Sequence, residues 1–160
     1  MRESDIRCAR SAGIAPPAPL SIARLSVAMF RISQRAGSLW GPLGTVVKQL
    51  NHLVTGADIA WQATIAPGLV LYHPTGVVVG AGVVIGRNCV LQSCVTLGGR
   101  GSQKMPRIGD KVLIGAGARV LGEIEIHDNV RIGANAVVTR DVPEGAVAVG
   151  IPARVVSRTD

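Results

Sequence analysis

The sequence has 160 residues and a formal net charge of +7, a length that suits one domain with a small appendage. Apolar residues make up 48% of the chain but aromatic residues only 2%, which favours a core of stacked aliphatic side chains over one of large rings. The positive charge favours anionic partners. Because aromatic side chains for base stacking and nucleic-acid motifs are both lacking, we expect a phosphorylated small molecule and no nucleic acid.

Membrane and thiol patterns both point to the cytoplasm. The first residues do not form a signal-peptide pattern, and the apolar stretch at 19–32 is interrupted by two arginines and is too short to cross a bilayer. We therefore expect no integral membrane segment. Cys8, Cys89 and Cys94 have no metal or redox spacing, so we expect no metal, and buried unreactive thiols at the two cysteines inside the repeat.

Residues 1–56 are predicted to form an arm and two short helices. An arm rich in Ala and Pro reaches to about residue 18, and a first helix is expected at 20–34, with a break at Gly37, Gly41 and Pro42. A second helix is expected at about 43–54, closed by Gly56 as C-cap. The apolar positions of the first helix are Ile22, Leu25, Met29 and Ile32, and those of the second are Leu43, Val46, Val47, Leu50, Leu53 and Val54. We expect these faces to pack on the first coils or on another subunit, and a membrane-surface role through nearby basic residues stays open.

A six-residue repeat begins at residue 59 and dominates the rest of the chain. An aliphatic residue opens each hexad, and a small or β-branched residue follows four positions later. The hexads begin at Ile59, Ile65, Leu71, Val79, Ile85, Leu91, Leu97, Ile108, Ile114, Val120, Ile126, Ile132 and Val138. Fixed short repeats predict a solenoid in which each repeat packs on its neighbours. Three hexads would form one triangular coil with an aliphatic core and small residues at its corners.

The spacing breaks twice, and each break predicts a surface loop. The first insertion contains residues 73–76 and the second residues 99–107. Loops on a rigid scaffold often carry function. His73 is the only histidine inside an insertion, and an imidazole can take a proton from an alcohol if a carboxylate orients it. Asp58, fifteen residues earlier, can lie near it on the adjoining coil. Spacing alone equally allows both residues to be simple caps of loops and turns.

Four segments carry a resemblance to a known family. They are residues 56–59 (GADI), 71–80 (LYHPTGVVVG), 91–99 (LQSCVTLGG) and 149–156 (VGIPARVV). In order and spacing these segments, within about residues 45–156, resemble serine O-acetyltransferases of the hexapeptide-repeat type. The resemblance implies a left-handed parallel β-helix, an exception to the usual right-handed crossover. It also implies direct transfer of an acetyl group from acetyl-CoA to a hydroxyl, in a homotrimer with active sites between subunits.

The resemblance also assigns site residues. His73 and Asp58 match the catalytic pair. Gly99, Ala116 and Ala134 match backbone positions along the acetyl-CoA groove, and Arg131 matches a lysine near the phosphates of the cosubstrate. Each of the three groove residues could also be an ordinary turn or corner residue.

Departures from the family pattern leave the acceptor open. Tyr72 stands where the family has an aspartate, Met105 where it has a second histidine, and Lys104 where it has an arginine; the last two are the expected substrate-binding positions. An ammonium keeps the charge but not bidentate carboxylate recognition. We expect the acceptor to be L-serine, and the alternative is a sugar or another small hydroxyl compound. A non-catalytic solenoid scaffold is the third hypothesis.

Three segments are therefore expected: the arm with helices at 1–56, a left-handed β-helix at 57–153, and a short polar tail at 154–160. The family's helical domain that pairs trimers and its extended tail that binds a sulfhydrylase are not matched by this sequence. We therefore expect a lone trimer and no sulfhydrylase complex.

Overall fold

A computed structural model describes residue 18 and residues 21–101 and 104–158 of the chain. In this part the chain forms a helical hairpin followed by three sheets that share one core and are parallel except for the last strand. The helices are α1 (Ile22–Leu39) and α2 (Gly41–Thr55). None of the described helices combines the length and the apolar character that a bilayer crossing would need.

The strands are two to five residues long and rotate among the three sheets. Sheet 1 contains β1 (Asp58–Ile59), β4 (Val78–Val79), β7 (Thr96–Gly98), β10 (Arg119–Leu121) and β13 (Val137–Val138). Sheet 2 contains β2 (Thr64–Ile65), β5 (Val84–Ile85), β8 (Arg107–Ile108) and β11 (Glu125–Ile126). Sheet 3 contains β3 (Val70–Leu71), β6 (Val90–Leu91), β9 (Leu113–Ile114), β12 (Arg131–Ile132), β14 (Ala146–Val149) and β15 (Arg154–Arg158). The predicted mainly β parallel solenoid with a helical cap is confirmed.

The hexad pattern is confirmed by both register and burial. Along sheet 1 the openers Ile59, Val79, Leu97, Val120 and Val138 are direct partners in successive layers. All the hexad openers lie in the core with exposures of 5% or less. The aliphatic side chains thus stack in columns inside the coil, and their burial supplies the main stabilising free energy.

The corners between sheets 2 and 3 require left-handed backbone. Asn88, Lys111 and Asn129 occupy equivalent positions in consecutive layers with φ between 55° and 58°. Their amides donate in turn to carbonyls of the preceding layer, as from Lys111 to Arg87 at 2.7 Å. Asparagine tolerates this conformation better than most residues, so the turn chemistry of the corner is visible in the sequence.

One of the two thiols inside the repeat departs from the prediction. Cys89 is buried in the core, as expected, but Cys94 is exposed. Cys94 lies at a corner with φ of 57°, where the chain turns and the following residue, Val95, takes the core position. The prediction of a buried thiol at Cys94 was therefore wrong, because a corner position was taken for a core position.

The helical hairpin closes the first end of the core. Phe30 of α1 is fully buried in the same cluster as the hexad openers. The Arg31 guanidinium donates to the carbonyls of Ile65 and Ala66 at 2.6 and 2.9 Å, and Gln34 donates to the carbonyl of Ala63 at 2.9 Å. These bonds satisfy backbone acceptors at the edge of the first coil, which an uncapped solenoid would leave exposed.

The crossing of the two helices depends on glycine. A Cβ placed on Gly44 would lie 2.5 Å from the Cα of Gly37, and one placed on Gly37 would lie 2.4 Å from the ring of Trp61. The prediction placed Gly37 in the break between the helices. In the structure α1 runs on to Leu39, so Gly37 lies inside the helix. Gly56 closes α2 with a φ of 75°, as predicted.

The apolar face of α2 does not pack on the first coil, which was one of the two alternatives expected for it. Its buried residues are Gly44, Asn51 and Thr55, whereas most of the predicted apolar face, including Leu43, Val46, Leu50, Leu53 and Val54, is exposed. In α1 likewise the buried positions include Ser26 and Ser33. The hairpin does pack on the first coil, but small and polar residues allow the helices to approach closely, and the apolar stripes face outward.

The last strand turns back on the solenoid. Residues 154–158, expected only as part of a polar tail, form β15, which pairs antiparallel with β14. The pairing follows the turn at 150–153, where the Ala153 amide donates to the Val137 carbonyl at 2.9 Å. One edge of sheet 3 is therefore covered by the chain itself.

Candidate active site

The corner between sheet 3 and sheet 1, called here the first corner, carries the first insertion. Consecutive layers are joined by the amides of Gly76, Cys94, Gly117 and Asn135, each of which donates to a carbonyl of the layer before it at 2.8–3.0 Å. Layers in such stacks lie about 4.8 Å apart. The first corner is therefore a continuous ridge with the His73 loop near one end.

His73 lies on this loop with its side chain exposed. The Tyr72 ring packs edge-on against the imidazole, with 5.0 Å between ring centroids. The loop folds over the residues before β1, because the Gly76 amide donates to the Gly56 carbonyl at 2.9 Å. Tyr72, which departs from the family pattern, thus supports the imidazole by packing.

Asp58 lies beside the end of the same loop. Its amide donates to the Val77 carbonyl at 2.8 Å, and in sheet 1 it is the partner of Val78. Its carboxylate Oδ1 forms an ion pair with Lys48 of α2 at 2.6 Å. The structure brings the His73 loop and the Asp58 strand together. Among the described residues, the ion-pair partner of the Asp58 carboxylate is Lys48.

Three of the expected cosubstrate residues lie further along the first corner. Ala116 follows β9, and Ala134 follows β12 one layer later, where the Asn135 amide donates to the Ala116 carbonyl at 2.8 Å. Ala134 is exposed and Ala116 half-buried, and Arg131 presents an exposed guanidinium on β12. The ridge therefore offers small side chains, with the exposed guanidinium of Arg131 on the adjoining strand β12, a surface that an extended chain bearing phosphates could follow.

The remaining expected residues lie at the second corner, between sheets 1 and 2. Gly99 follows β7 directly, and the loop it begins returns at β8. Met105 is half-buried and packs against the core cluster. Its side chain lies over two glycines of the layer before, so that a Cβ on Gly80 would be 3.4 Å from its Sδ. The packing of Met105 therefore holds the second loop against the coil.

Lys104 makes a contact that the sequence did not predict. Its Nζ forms an ion pair with Glu123 Oε2 at 2.5 Å, and both side chains are about two-thirds exposed. Next to this pair lies a cavity of about 340 Å³ whose lining includes Met105, Ile124 and Asp141. The Lys104 ammonium, which was expected to face the acceptor, thus forms an ion pair with a carboxylate of the next layer.

The expected residues divide between two corners of one chain. His73, Ala116 and Ala134 lie at the first corner, and Gly99 and Lys104 at the second, with sheet 1 between them. One side of such a coil spans six residues, or roughly 15–20 Å. A single hydroxyl could not contact both corners of one chain, so the two sets of residues could meet only across a subunit interface.

Two of the residues at these sites could not be found from sequence patterns. Lys48 lies ten residues before its partner Asp58, on an element of another type, and Glu123 occupies a corner position with no insertion of its own. Only the layer-to-layer register, which puts Glu123 beside the second loop, could have suggested the contact.

Comparisons with known proteins agree with the fold. The family model described as "Bacterial transferase hexapeptide (six repeats)" matches residues 105–140, so the coil has the repeat of the hexapeptide transferases. The serine acetyltransferase of Mycobacterium tuberculosis is 37% identical over 97% of this chain and 72% of its own length. The chain therefore belongs to the serine acetyltransferase family.

Solved structures of the family superpose closely on the chain. Soybean serine acetyltransferase complexed with serine gives a TM-score of 0.85 at 36% identity, and covers 96% of this chain and 67% of its own. A serine acetyltransferase in complex with CoA gives a TM-score of 0.86 at 32% identity, with the same coverage. The chain spans about half the length of several curated relatives, from 48% to 54%.

Proposed function

We propose that this chain transfers the acetyl group of acetyl-CoA to the hydroxyl of L-serine, with His73 as general base. The observation that carries the proposal is the similarity over almost the whole chain to a serine acetyltransferase, together with an exposed His73 in a loop that folds over the Asp58 strand. The relative in complex with CoA and the one complexed with serine support the two substrates.

In this mechanism the His73 imidazole accepts the proton of the acceptor hydroxyl while the hydroxyl oxygen attacks the thioester carbonyl carbon. When the tetrahedral intermediate collapses, the carbon–sulfur bond breaks and the CoA thiolate receives that proton from the imidazolium. A backbone amide near Gly99 can stabilise the oxyanion. No acyl-enzyme is formed. The proton that the imidazole takes from the hydroxyl is passed to the CoA sulfur, so the imidazole is regenerated.

Asp58 would orient the imidazole. Lys48 contacts its Oδ1, which leaves Oδ2 to accept a hydrogen bond from the second ring nitrogen. Such a bond fixes the tautomer and stabilises the imidazolium that forms in the transition state. Lys48 holds the carboxylate in place through this ion pair, so it is a positioning residue in this proposal.

The pantetheine arm of acetyl-CoA would follow the first corner. Ala116 and Ala134 have side chains small enough for close approach, and the exposed guanidinium of Arg131 suits a phosphate. Gly99 would line the same groove from the second corner of a neighbouring subunit. We therefore propose a homotrimer, in which each site combines the first corner of one chain with the second corner of the next.

The acetyl-transfer proposal is tested by thiol release from acetyl-CoA in the presence of L-serine. We expect His73→Ala to lower kcat by roughly 10²- to 10⁴-fold, the usual contribution of a general base. His127→Ala is the matched control, because His127 is exposed and lies outside both corners that carry site residues. Equal turnover by His73→Ala and the wild type would favour a non-catalytic scaffold.

A second candidate acceptor is a hydroxyl compound without a carboxylate, such as a sugar. The ion pair between Lys104 and Glu123 favours it, because it offsets the charge that would recognise the carboxylate of serine. Activities with L-serine, L-serinamide and a panel of sugars distinguish the two. A preference for L-serine over L-serinamide that increases in Glu123→Gln would place Lys104 at the acceptor carboxylate, whereas turnover of sugars alone would exclude L-serine.

The proposal includes a cytoplasmic location and no metal ion. Among the described residues, no three His, Cys, Asp or Glu side chains are grouped so that they could hold a metal. The reaction as written requires only a base and two bound substrates. Dialysis against a chelator should therefore leave the rate of thiol release unchanged.

A further inference from the structure

The second loop, residues 99–107, carries a cation near each of its ends. Arg100 follows Gly99 directly after β7 of sheet 1, and Lys104 lies shortly before β8 of sheet 2. Both side chains are exposed. The resemblance assigns acceptor recognition to Lys104 and no role to Arg100, so the surroundings of the two cations decide which of them can receive an anion.

The surroundings of Lys104 are already occupied. Its ammonium forms an ion pair with Glu123 of the next layer. The neighbouring Met105 covers two glycines of the layer before, since a Cβ built on Gly80 or Gly82 would lie 3.4 or 3.6 Å from its side chain. An ammonium that is paired with a carboxylate attracts a second carboxylate only weakly, because the charge of the pair is close to zero. This end of the loop is therefore poorly suited to bind an incoming carboxylate.

The surroundings of Arg100 are open. A Cβ built on Gly98 or on Gly101 would meet no atom within 4 Å apart from its chain neighbours, so the space on both sides of Arg100 along the chain is unfilled. The Arg100 Cβ lies over the next layer, 3.5 Å from where a Cβ on Gly122 would be. In the described part of the chain no carboxylate forms an ion pair with the guanidinium. Arg100 therefore combines a stem that rests on the coil with a charge that is available to a ligand.

We propose that Arg100 binds the carboxylate of the acceptor, and that Arg100 rather than Lys104 gives the site its preference for an amino acid. A guanidinium presents paired N–H donors that match the two oxygens of a carboxylate, whereas an ammonium acts as a point charge. Gly99, the neighbour of Arg100, would line the groove for acetyl-CoA, so the guanidinium would lie beside the reacting thioester. The inference rests on the proposed acetyl transfer, since it adds one residue to the same site.

The level of Arg100 along the coil suits this role. His73 lies in the loop that joins the first and second layers, and β7, which leads into Arg100, belongs to the third layer. The offset is one to two layers of about 4.8 Å each. An arginine side chain and a small hydroxy amino acid together can span this offset when the first corner of one subunit faces the second corner of the next.

The other anion that Arg100 could meet is a phosphate of acetyl-CoA. In the proposed groove the phosphates lie toward Ala134 and Arg131, in the fourth layer. The pantetheine arm, which is uncharged, separates them from the thioester. Arg100 lies one layer nearer to His73, beside the reacting end of the cosubstrate, where the available anion is the carboxylate of the acceptor.

The test compares L-serine with L-serinamide, which keeps the hydroxyl and the ammonium of L-serine but has no carboxylate. Thiol release gives the KM for each acceptor and for acetyl-CoA in the wild type, Arg100→Met, Arg100→Lys and Lys104→Met. Methionine keeps an unbranched stem and removes the charge. Arg87→Met is the matched control, because Arg87 is an exposed arginine at the corner between sheets 2 and 3, away from both corners that carry site residues. Far-ultraviolet circular dichroism checks that each variant is folded.

We expect Arg100→Met to raise the KM for L-serine by roughly 10- to 100-fold, the usual effect of losing a hydrogen bond between charged groups. The KM values for L-serinamide and for acetyl-CoA should stay close to those of the wild type. Arg100→Lys should recover part of the affinity for L-serine, because it restores the charge but not the paired donors. Lys104→Met and Arg87→Met should keep the wild-type preference for L-serine over L-serinamide.

Three outcomes would overturn the inference and leave the proposed acetyl transfer intact. They are an unchanged KM for L-serine in Arg100→Met, a rise in the KM for acetyl-CoA alone, and a loss of the preference for L-serine in Lys104→Met only. The second would assign Arg100 to the phosphates of the cosubstrate, and the third would assign the carboxylate to Lys104. Wild-type protein that releases no thiol with L-serine would instead overturn the proposed function, and the inference with it.

Discussion

At the scale of single residues, the chemistry of the candidate site depends on a few side chains held by neighbours of other layers. His73 packs against Tyr72, Asp58 is paired with Lys48, and Lys104 is paired with Glu123. Exposed ion pairs stabilise a fold by about 0–1 kcal/mol. We therefore expect these ion pairs to act by positioning charged groups. Substitutions in them should change the kinetics of acetyl transfer more than the free energy of unfolding.

We predict that Asp58→Asn lowers kcat for acetyl transfer by roughly 10- to 10³-fold, because the amide no longer stabilises the imidazolium on His73. The KM for acetyl-CoA should change little. Lys48→Met is the informative companion, since it removes the ion pair but keeps the carboxylate. Steady-state kinetics of both variants, with melting temperatures within a few degrees of the wild type, check the prediction. Equal losses in the two variants would assign Asp58 a structural role.

At the level of residues, the predictions that the structure bears out concern position. The His73 loop does interrupt the repeat, and the coil length does place the Asp58 strand next to that loop. The partners Lys48 and Glu123 interrupt nothing, and their contacts depend on how a helix and a loop lie against the coil. Cys94 was misplaced for a related reason, because a corner and a core position look alike until the backbone conformation is known.

At the scale of elements, the repeat predicts the strands, but apolar spacing does not predict how the helical hairpin packs. Each hexad supplies one buried aliphatic residue, so the periodicity alone gives the strands, the sheets and the core. In the helices the apolar stripes do not form the contact with the rest of the chain, since Gly37, Gly44, Ser26 and Asn51 occupy it. Close helix approach favours small residues, which apolar spacing does not identify.

We predict that Gly44→Ala destabilises the chain by about 1–3 kcal/mol. Alanine gains up to about 1 kcal/mol in helix propensity, but its Cβ would lie 2.5 Å from the Gly37 Cα, a backbone atom that cannot move aside. Gly41→Ala is the control, because the nearest atom to its Cβ lies 3.7 Å away. Denaturant unfolding should show a lower midpoint for Gly44→Ala only. An unchanged midpoint would mean that the hairpin contact is looser than described.

At the scale of the whole molecule, the two insertions lie at different corners of the coil, on either side of sheet 1. The resemblance implies active sites between subunits, and the register of the coil adds the distance between the two corners of one chain. If the proposed site exists, its two halves therefore come from different chains.

We predict that two inactive variants restore activity when they are unfolded and refolded together. His73→Ala disables the first corner, and Gly99→Trp blocks the second. Random assembly into trimers would give about a quarter of the sites both intact halves. Thiol release by the mixture is compared with that of each variant refolded alone. A mixture no more active than its components would place the complete site within one chain.

Both ends of the coil are closed by parts of the chain that are not hexads. Phe30 of α1 plugs the aliphatic column at the start, and β15 runs against the direction of every other strand at the finish. A parallel ladder left open at both ends would accept further ladders and grow into fibres. The hairpin covers the first layer and β15 occupies the outer edge of sheet 3, so both oppose the direct continuation of the parallel ladder from one copy of the chain into the next.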